Sequence, residues 1–270
     1  MDLRQACAEL NWFLSSELGI DLRRLGRSVR GLPAFLRDVR RFRSSSQVSL
    51  SLKPCLHDRF EEAGFIRMEY FWQDLLVARR VHAARPRRHV DVGSRIDGFV
   101  AHVASFREIE VLDVRAFKSR IPGVTFQQAD LASVESMDAL LDHGGHCDSL
   151  SCLHALEHFG LGRYGDPIDG DGPMRGLTNL ARLLEPGGTL YLSTPVGRER
   201  VLFNANWILD PVRLVRIAGD AGLVLESLNT IGTEGVIDEP PPSDASLSHL
   251  ATLDYRLTLF TFRKASPAPC

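Results

Sequence analysis

The stretch "HVDVGSRIDGFVAHV", His89 to Val103, sets a short β-rich run against a glycine turn and then a segment of helical periodicity. "HVDVGS" (89–94) reads as a strand and "IDGFVAHVASF" (96–106) as a helix, so the turn between them joins a strand to a helix. Downstream the alternation continues. Strands are expected at 108–115, 124–130, 147–154, 189–197, 223–232 and 254–264, and helices at 133–143, 174–185 and 208–222. The last helix has an N-cap at Asp210 with Pro211 in its first turn. Such alternation predicts an α/β fold, a doubly wound, mostly parallel sheet with helices on both faces. The final two strands, linked by the Pro-rich "DEPPPSDAS", are expected to form an antiparallel edge hairpin.

Upstream, "FIRMEYFWQDLLVARRVHAA" (65–84) has helical periodicity and stops before Pro86. Residues 1–64 form a helical N-terminal extension, and 65–270 the α/β domain. Within the extension Arg23, Arg24, Arg27, Arg30, Arg37, Arg40, Arg41 and Arg43 make a basic stretch. It is either a contact for phosphate or an acidic surface, or a solvated helix face.

With 270 residues, 44% hydrophobic, and a net charge of −2, bulk charge does not mark a nucleic-acid binder. The five cysteines (Cys7, Cys55, Cys147, Cys152, Cys270) are scattered and odd in number, which argues against a disulfide scaffold and fits a reducing cytoplasm. Charged residues interrupt the first twenty positions, so neither a signal peptide nor a transmembrane segment is expected.

In doubly wound sheets a ligand sits at the carboxyl ends of the strands, which makes the 91–98 turn the first place to look. A dinucleotide fingerprint, G-x-G-x-x-G, wants a second glycine; here Ser94 and Arg95 follow Gly93, and Asp91 and Asp97 flank the turn. Two carboxylates suit a cationic or amine-bearing ligand better than a diphosphate. Asp113, ending the next strand, can accept both hydroxyl hydrogens of a ribose, and Asp130, ending the third, can accept from an exocyclic amine beside an adenine slot lined by Leu131. Each aspartate alone is equally a helix cap or turn former.

Taken together, "HVDVGSRIDGF", "EIEVLDVR", "VTFQQADL", "LHALEHFGLGRYGDPID" and "LLEPGGTLYLSTPVG" resemble the class I S-adenosylmethionine-dependent methyltransferases. More narrowly, they are similar to a methyltransferase-like family of unassigned function that accompanies glycan biosynthesis. The resemblance covers about residues 65–264. It implies a seven-stranded sheet, with Asp91, Gly93 and Ser94 at the methionine portion of the cofactor, Asp113 at the ribose, and Asp130 with Leu131 at the adenine. The turn keeps only the first glycine of the D-x-G-x-G-x-G pattern common in that family.

Methyl transfer from a sulfonium is an in-line displacement, so the protein aligns the acceptor and takes its proton. The loop after the fourth strand, "LHALEHFGLGRYGDPIDGDG", offers His154, Glu157 and His158, with both imidazoles on one face if the segment is helical. His158 lies further out and is the favoured base; the structural alternative is an imidazole capping the strand end. Asp166, Asp169 and Asp171 are spaced as hard oxygen ligands for magnesium, or are ordinary turn formers. Tyr70, Trp72 and Gln73 can roof a cofactor, but aromatics at helical spacing are read as core. The expected activity is O-methylation of a sugar hydroxyl in a glycan or glycan precursor. Methyl transfer to another small molecule and a non-catalytic scaffold are the alternatives.

Overall fold

The computed structural model describes residues 3–61, 68–142, 146–232 and 235–266. The expected boundary between 64 and 65, the start of the helix at Phe65, the helix end at His143, and Cys270 lie outside the described residues. By its contacts the chain divides into two units, Met1–Ile66 and Arg67–Cys270.

The first unit holds two helices, α1 (Leu3–Ser16) and α2 (Leu22–Ser45), and a short turn of helix at Asp58–Phe60. The Asp21 side chain accepts from the amides of Arg23 and Arg24 and so starts α2. The 56–61 segment folds back on α2. A Cβ at Gly31 would lie 2.0 Å from the Leu56 carbonyl oxygen, so only glycine fits there. Arg59 pairs with Asp38 at 2.5 Å and the Arg30 guanidinium lies over the Phe60 ring.

The second unit is built on one sheet. Its strands are β1 (His89–Val92), β2 (Ile109–Asp113), β3 (Val124–Gln128), β4 (Cys147–Leu153), β5 (Leu184–Val196), β8 (Leu223–Ile231), β9 (Ile237–Asp238) and β10 (Arg256–Lys264). They are ordered β3-β2-β1-β4-β5-β10-β8-β9. The first five are parallel, in the doubly wound order that reverses beside β1. Every residue of β1 is buried, as is usual for a parallel strand covered on both faces. β10 then runs antiparallel to β5 on one side and to β8 on the other. This is the doubly wound, mostly parallel α/β sheet that the sequence predicts, with three differences.

The sheet has eight strands, because β9 adds a two-residue edge against β8. The closing antiparallel pair is present, but β10 is an interior strand and not the edge. A separate ribbon of β6 (Arg200–Leu202) and β7 (Asn206–Ile208) follows β5.

Helix α3 (Met68–Ala84) and a π turn at Ile96–Val100 leading into α4 (Ala101–Ala104) cover one face. Val77, Val81, Phe99 and Val103 form the core there. The other face carries α5 (Val134–Asp142), α6 (Gly172–Leu183), α7 (Pro211–Asp220) and α8 (Asp244–Ala251), packed through Met137, Leu177, Leu180, Leu214 and Leu250. Asp210 caps α7 by accepting from the Val212 amide, with Pro211 at the first position, as the sequence indicates. α6 ends at Leu183 and β5 begins at Leu184, ahead of the expected strand start, because Pro186 holds Glu185 in extended backbone. Among the described residues no helix is long and apolar enough to cross a membrane.

Candidate functional site

The turn after β1 is held by a buried carboxylate. Asp91 has no exposed surface and accepts from the Ser94 amide (3.1 Å), Ser94 Oγ (2.6 Å) and Ser151 Oγ on β4 (2.5 Å). Ser94 Oγ in turn accepts from the Leu153 amide, which ties the turn to β4. Burial pushes the Asp91 carboxyl up to about 6 against the pull of these serine donors. Gly93 has φ +70°, and a Cβ there would come within 2.9 Å of Ala155 Cβ. Glycine at 93 is therefore required twice over. Asp97 is exposed and clamped by Arg95.

Asp74, on α3, presses on the same turn: a Cβ at Gly98 would meet its Oδ2 at 2.3 Å. Its carboxyl is raised to about 7, by burial first and by Asp91 nearby, with the Gln73 hydrogen bond opposing.

Asp113 ends β2 and is engaged on both oxygens by Arg115, through Nε (2.9 Å) and a terminal nitrogen (2.7 Å), and by the Arg115 amide (2.8 Å). The Arg115 guanidinium lies 4.4 Å over the Tyr164 ring, which meets His158 edge-on. The end of β2 and the loop after β4 thus share one set of contacts. Asp130 accepts from the Ala132 amide (2.8 Å), a turn-forming bond. Leu131 is buried, and its carbonyl accepts from Asn179 (2.7 Å).

After β4 the chain does not continue as an α-helix. His154 takes φ +55°, a backbone region unfavourable for a non-glycine residue, and only Leu156–His158 forms a short 3₁₀ turn. The two imidazoles therefore do not share a helical face, and their surroundings differ. His154 Nδ1 is hydrogen-bonded to Glu157, which is fully buried; its Nε2 faces Glu69 Oε2 at 3.9 Å, near enough for attraction but too far for a hydrogen bond.

Tyr255 donates to the same Glu69 oxygen at 2.7 Å, and Tyr70 stacks on the imidazole at 4.4 Å between centroids. Burial alone would keep His154 neutral, but Glu157 and Glu69 reverse it and raise the imidazole to about 9. Glu157, despite its burial, is held below the ordinary carboxylate range by that cation. Both His154 Nε2 and Glu157 Oε2 are buried with no hydrogen-bond partner.

His158 is half-buried, and its Nδ1 bonds to the Ala205 carbonyl at 2.8 Å. A carbonyl only accepts, so Nδ1 carries the proton and Nε2 the lone pair. Burial and the neighbouring Arg163 cation hold His158 below its ordinary value, against Glu157.

Asp166 accepts from the amides of Gly160, Gly162 and Tyr164. Asp169 accepts from the Asp171 amide and pairs with Arg175, while Asp171 faces Arg213 at 3.7 Å. Asp166 and Asp169 thus meet loop amides and an arginine, and among the described residues only His57, Asp58 and Glu61 bring their ligand atoms within metal-sharing distance.

Glu69, Tyr255, Arg115 and Asp74 escaped the sequence reading, and Tyr70 was set aside as core. The one signal was compositional: "MEYFWQD" places Glu69 and Asp74 in an otherwise apolar helix, where buried acids need partners.

Residues 100–224 match the family model described as Caenorhabditis protein of unknown function, DUF268. Comparison with curated proteins gives no match. Among solved structures, Burkholderia thailandensis 1,6-didemethyltoxoflavin-N1-methyltransferase, with bound 1,6-didemethyltoxoflavin and S-adenosylhomocysteine, is 14% identical at a TM-score of 0.48, over 72% of this chain and 79% of that one. The N-methyltransferase NodS from Bradyrhizobium japonicum WM9, in complex with S-adenosylhomocysteine, is 12% identical at 0.46, over 72% and 86%. An O-methyltransferase family protein from Burkholderia thailandensis is 15% identical at 0.43, over 72% and 59%. None of these likenesses carries a residue assignment to this chain.

Proposed function

We propose that the protein is an S-adenosylmethionine-dependent methyltransferase that methylates a hydroxyl oxygen of a sugar in a glycan or glycan precursor, in the cytoplasm. The observation that carries the methyltransferase reading is antiparallel β10 between β5 and β8, where a dinucleotide-binding sheet has a sixth parallel strand. The sugar acceptor rests on the family resemblance and on the polar loop after β4.

The residues at the strand ends suit the cofactor. Gly93 supplies the positive φ of the turn where it packs on Ala155, and the buried Asp91–Ser94–Ser151 cluster holds the turn that would receive the methionine portion. Asp113 would take the ribose hydroxyls once Arg115 swings aside, and Asp130 with Leu131 the adenine. When bound, S-adenosylmethionine supplies an electrophilic methyl group on a sulfonium. His158 would take at Nε2 the proton that the acceptor hydroxyl gives up. His154, already protonated between Glu157 and Glu69, is no base. It fixes the floor of the loop and keeps His158 in place.

The test is transfer of a labelled methyl group from S-adenosylmethionine to sugar-containing acceptors, with Asp113→Ala as the control. Label in an acceptor hydroxyl, lost in the variant, is expected. Label on nitrogen, or on an acceptor without sugar, would replace the glycan part.

One observation favours a second reading, a non-catalytic methyltransferase-like scaffold: both oxygens of Asp113 are already occupied by Arg115. A folded protein that binds neither S-adenosylmethionine nor S-adenosylhomocysteine would establish it.

A further inference from the structure

The Arg-rich helix α2 plays no part in the proposed reaction, and its side chains are sorted by kind. Leu22, Leu25, Val29, Leu32 and Leu36 recur at alternating intervals of three and four, which places them on one stripe of the helix. Between 43% and 66% of each of these side chains is open to solvent. Arg23, Arg27, Arg30, Arg37 and Arg41 follow the same spacing on a second stripe and are exposed too. The helix holds eight arginines and a single acid, Asp38, and that acid is taken by Arg59. α1 adds exposed Leu10, Trp12 and Phe13 to the same unit. At 24 residues α2 is about 36 Å long.

We propose that α2 lies in the surface of an anionic lipid bilayer, its leucine stripe in the acyl boundary and its arginines on the headgroups. The exposed apolar stripe, about 21 Å of the helix from Leu22 to Leu36, needs a cover, and charge complementarity selects which one. A second copy would have to set two eight-arginine helices side by side with one acid each, whereas paired helices rely on opposite charges beside their seam. Pro33, in mid-helix, further interrupts a regular seam. An anionic surface neutralises the arginines instead, and their long stems let the guanidinium groups reach headgroups while the leucines sink. Since no described helix can cross a membrane, the contact is interfacial and reversible.

The full chain is to be tested by flotation with vesicles of phosphatidylcholine containing phosphatidylserine, against vesicles of phosphatidylcholine alone. Binding to the first only, weakened by added salt, is expected. The double variant Leu25→Asp, Leu32→Asp is expected to lower vesicle binding by about tenfold or more. Circular dichroism keeps this result separate from misfolding; both residues are exposed, so the fold should be unchanged. Absence of binding by the folded wild type, or equal binding by the variant, would overturn the proposal. So would a wild-type dimer, seen by sedimentation, that the same variant turns into monomer; the stripe would then be a self-association face.

Discussion

The two halves of the loop after β4 hold one histidine each, four residues apart, and treat them oppositely. His154 is buried between Glu157 and Glu69 under the Tyr70 ring and keeps its proton to about 9. His158 is held below its ordinary value by burial first and by the Arg163 cation second, against Glu157. Burial opposes the charged form of both imidazoles; the carboxylates facing His154 reverse it there, and at His158 they do not. In the proposed reaction the inner histidine would hold the loop and the outer one would take the proton.

The contrast breaks most visibly if the inner histidine is removed. His154→Ala leaves Glu157 as a buried carboxylate without its cation and is expected to cost about 3–5 kcal/mol in denaturant unfolding. A loss below about 1 kcal/mol would mean that the pair is not the lock. His158→Ala is expected to spare stability and cofactor affinity while slowing turnover on the order of 10²-fold. Unchanged turnover would return His158 to a structural role.

Asp113→Ala should weaken cofactor binding by about 1–3 kcal/mol, measured by titration, and leave both histidines as they are. Unchanged affinity would remove Asp113 from the ribose.

The contrast also predicts a slope of stability with pH. A folded imidazole raised to about 9 contributes stability fully present below its unfolded value near 6.5 and lost as pH rises through about 9. The thermal midpoint should therefore fall over that interval, and His154→Gln should flatten the fall. In the same wild-type protein turnover should fall on the acid side, below the ordinary imidazole value, where His158 becomes charged.

The alternation of strand and helix was legible because β2 and β5 carry β-rich runs, "IEVLD" and "TLYLSTPV", and because Asp210 and Pro211 announce α7. The place of β10 inside the sheet was not, since nothing in "RLTLFTFRK" says which strand it pairs with. β6, β7 and β9, at two or three residues, are too short for a period to show.

At the site, Asp91, Gly93, Asp113, His154 and His158 were visible as strand-end and loop residues. The partners that give the histidines their characters were not, because they arrive from far along the chain: Tyr255 and Glu69, bonded to each other beside His154, are 186 residues apart. The aspartates at 166, 169 and 171 were legible both as ligands and as turn formers; Asp166 and Asp169 accept from nearby amides, and Asp169 pairs with Arg175.

The account rests on the turn "DVGSRIDG" receiving a sulfonium cofactor, and calorimetric titration with S-adenosylmethionine and S-adenosylhomocysteine tests it most directly. Saturable micromolar binding of both, weakened in Asp113→Ala, is the predicted result. Absence of binding in protein shown to be folded would contradict it.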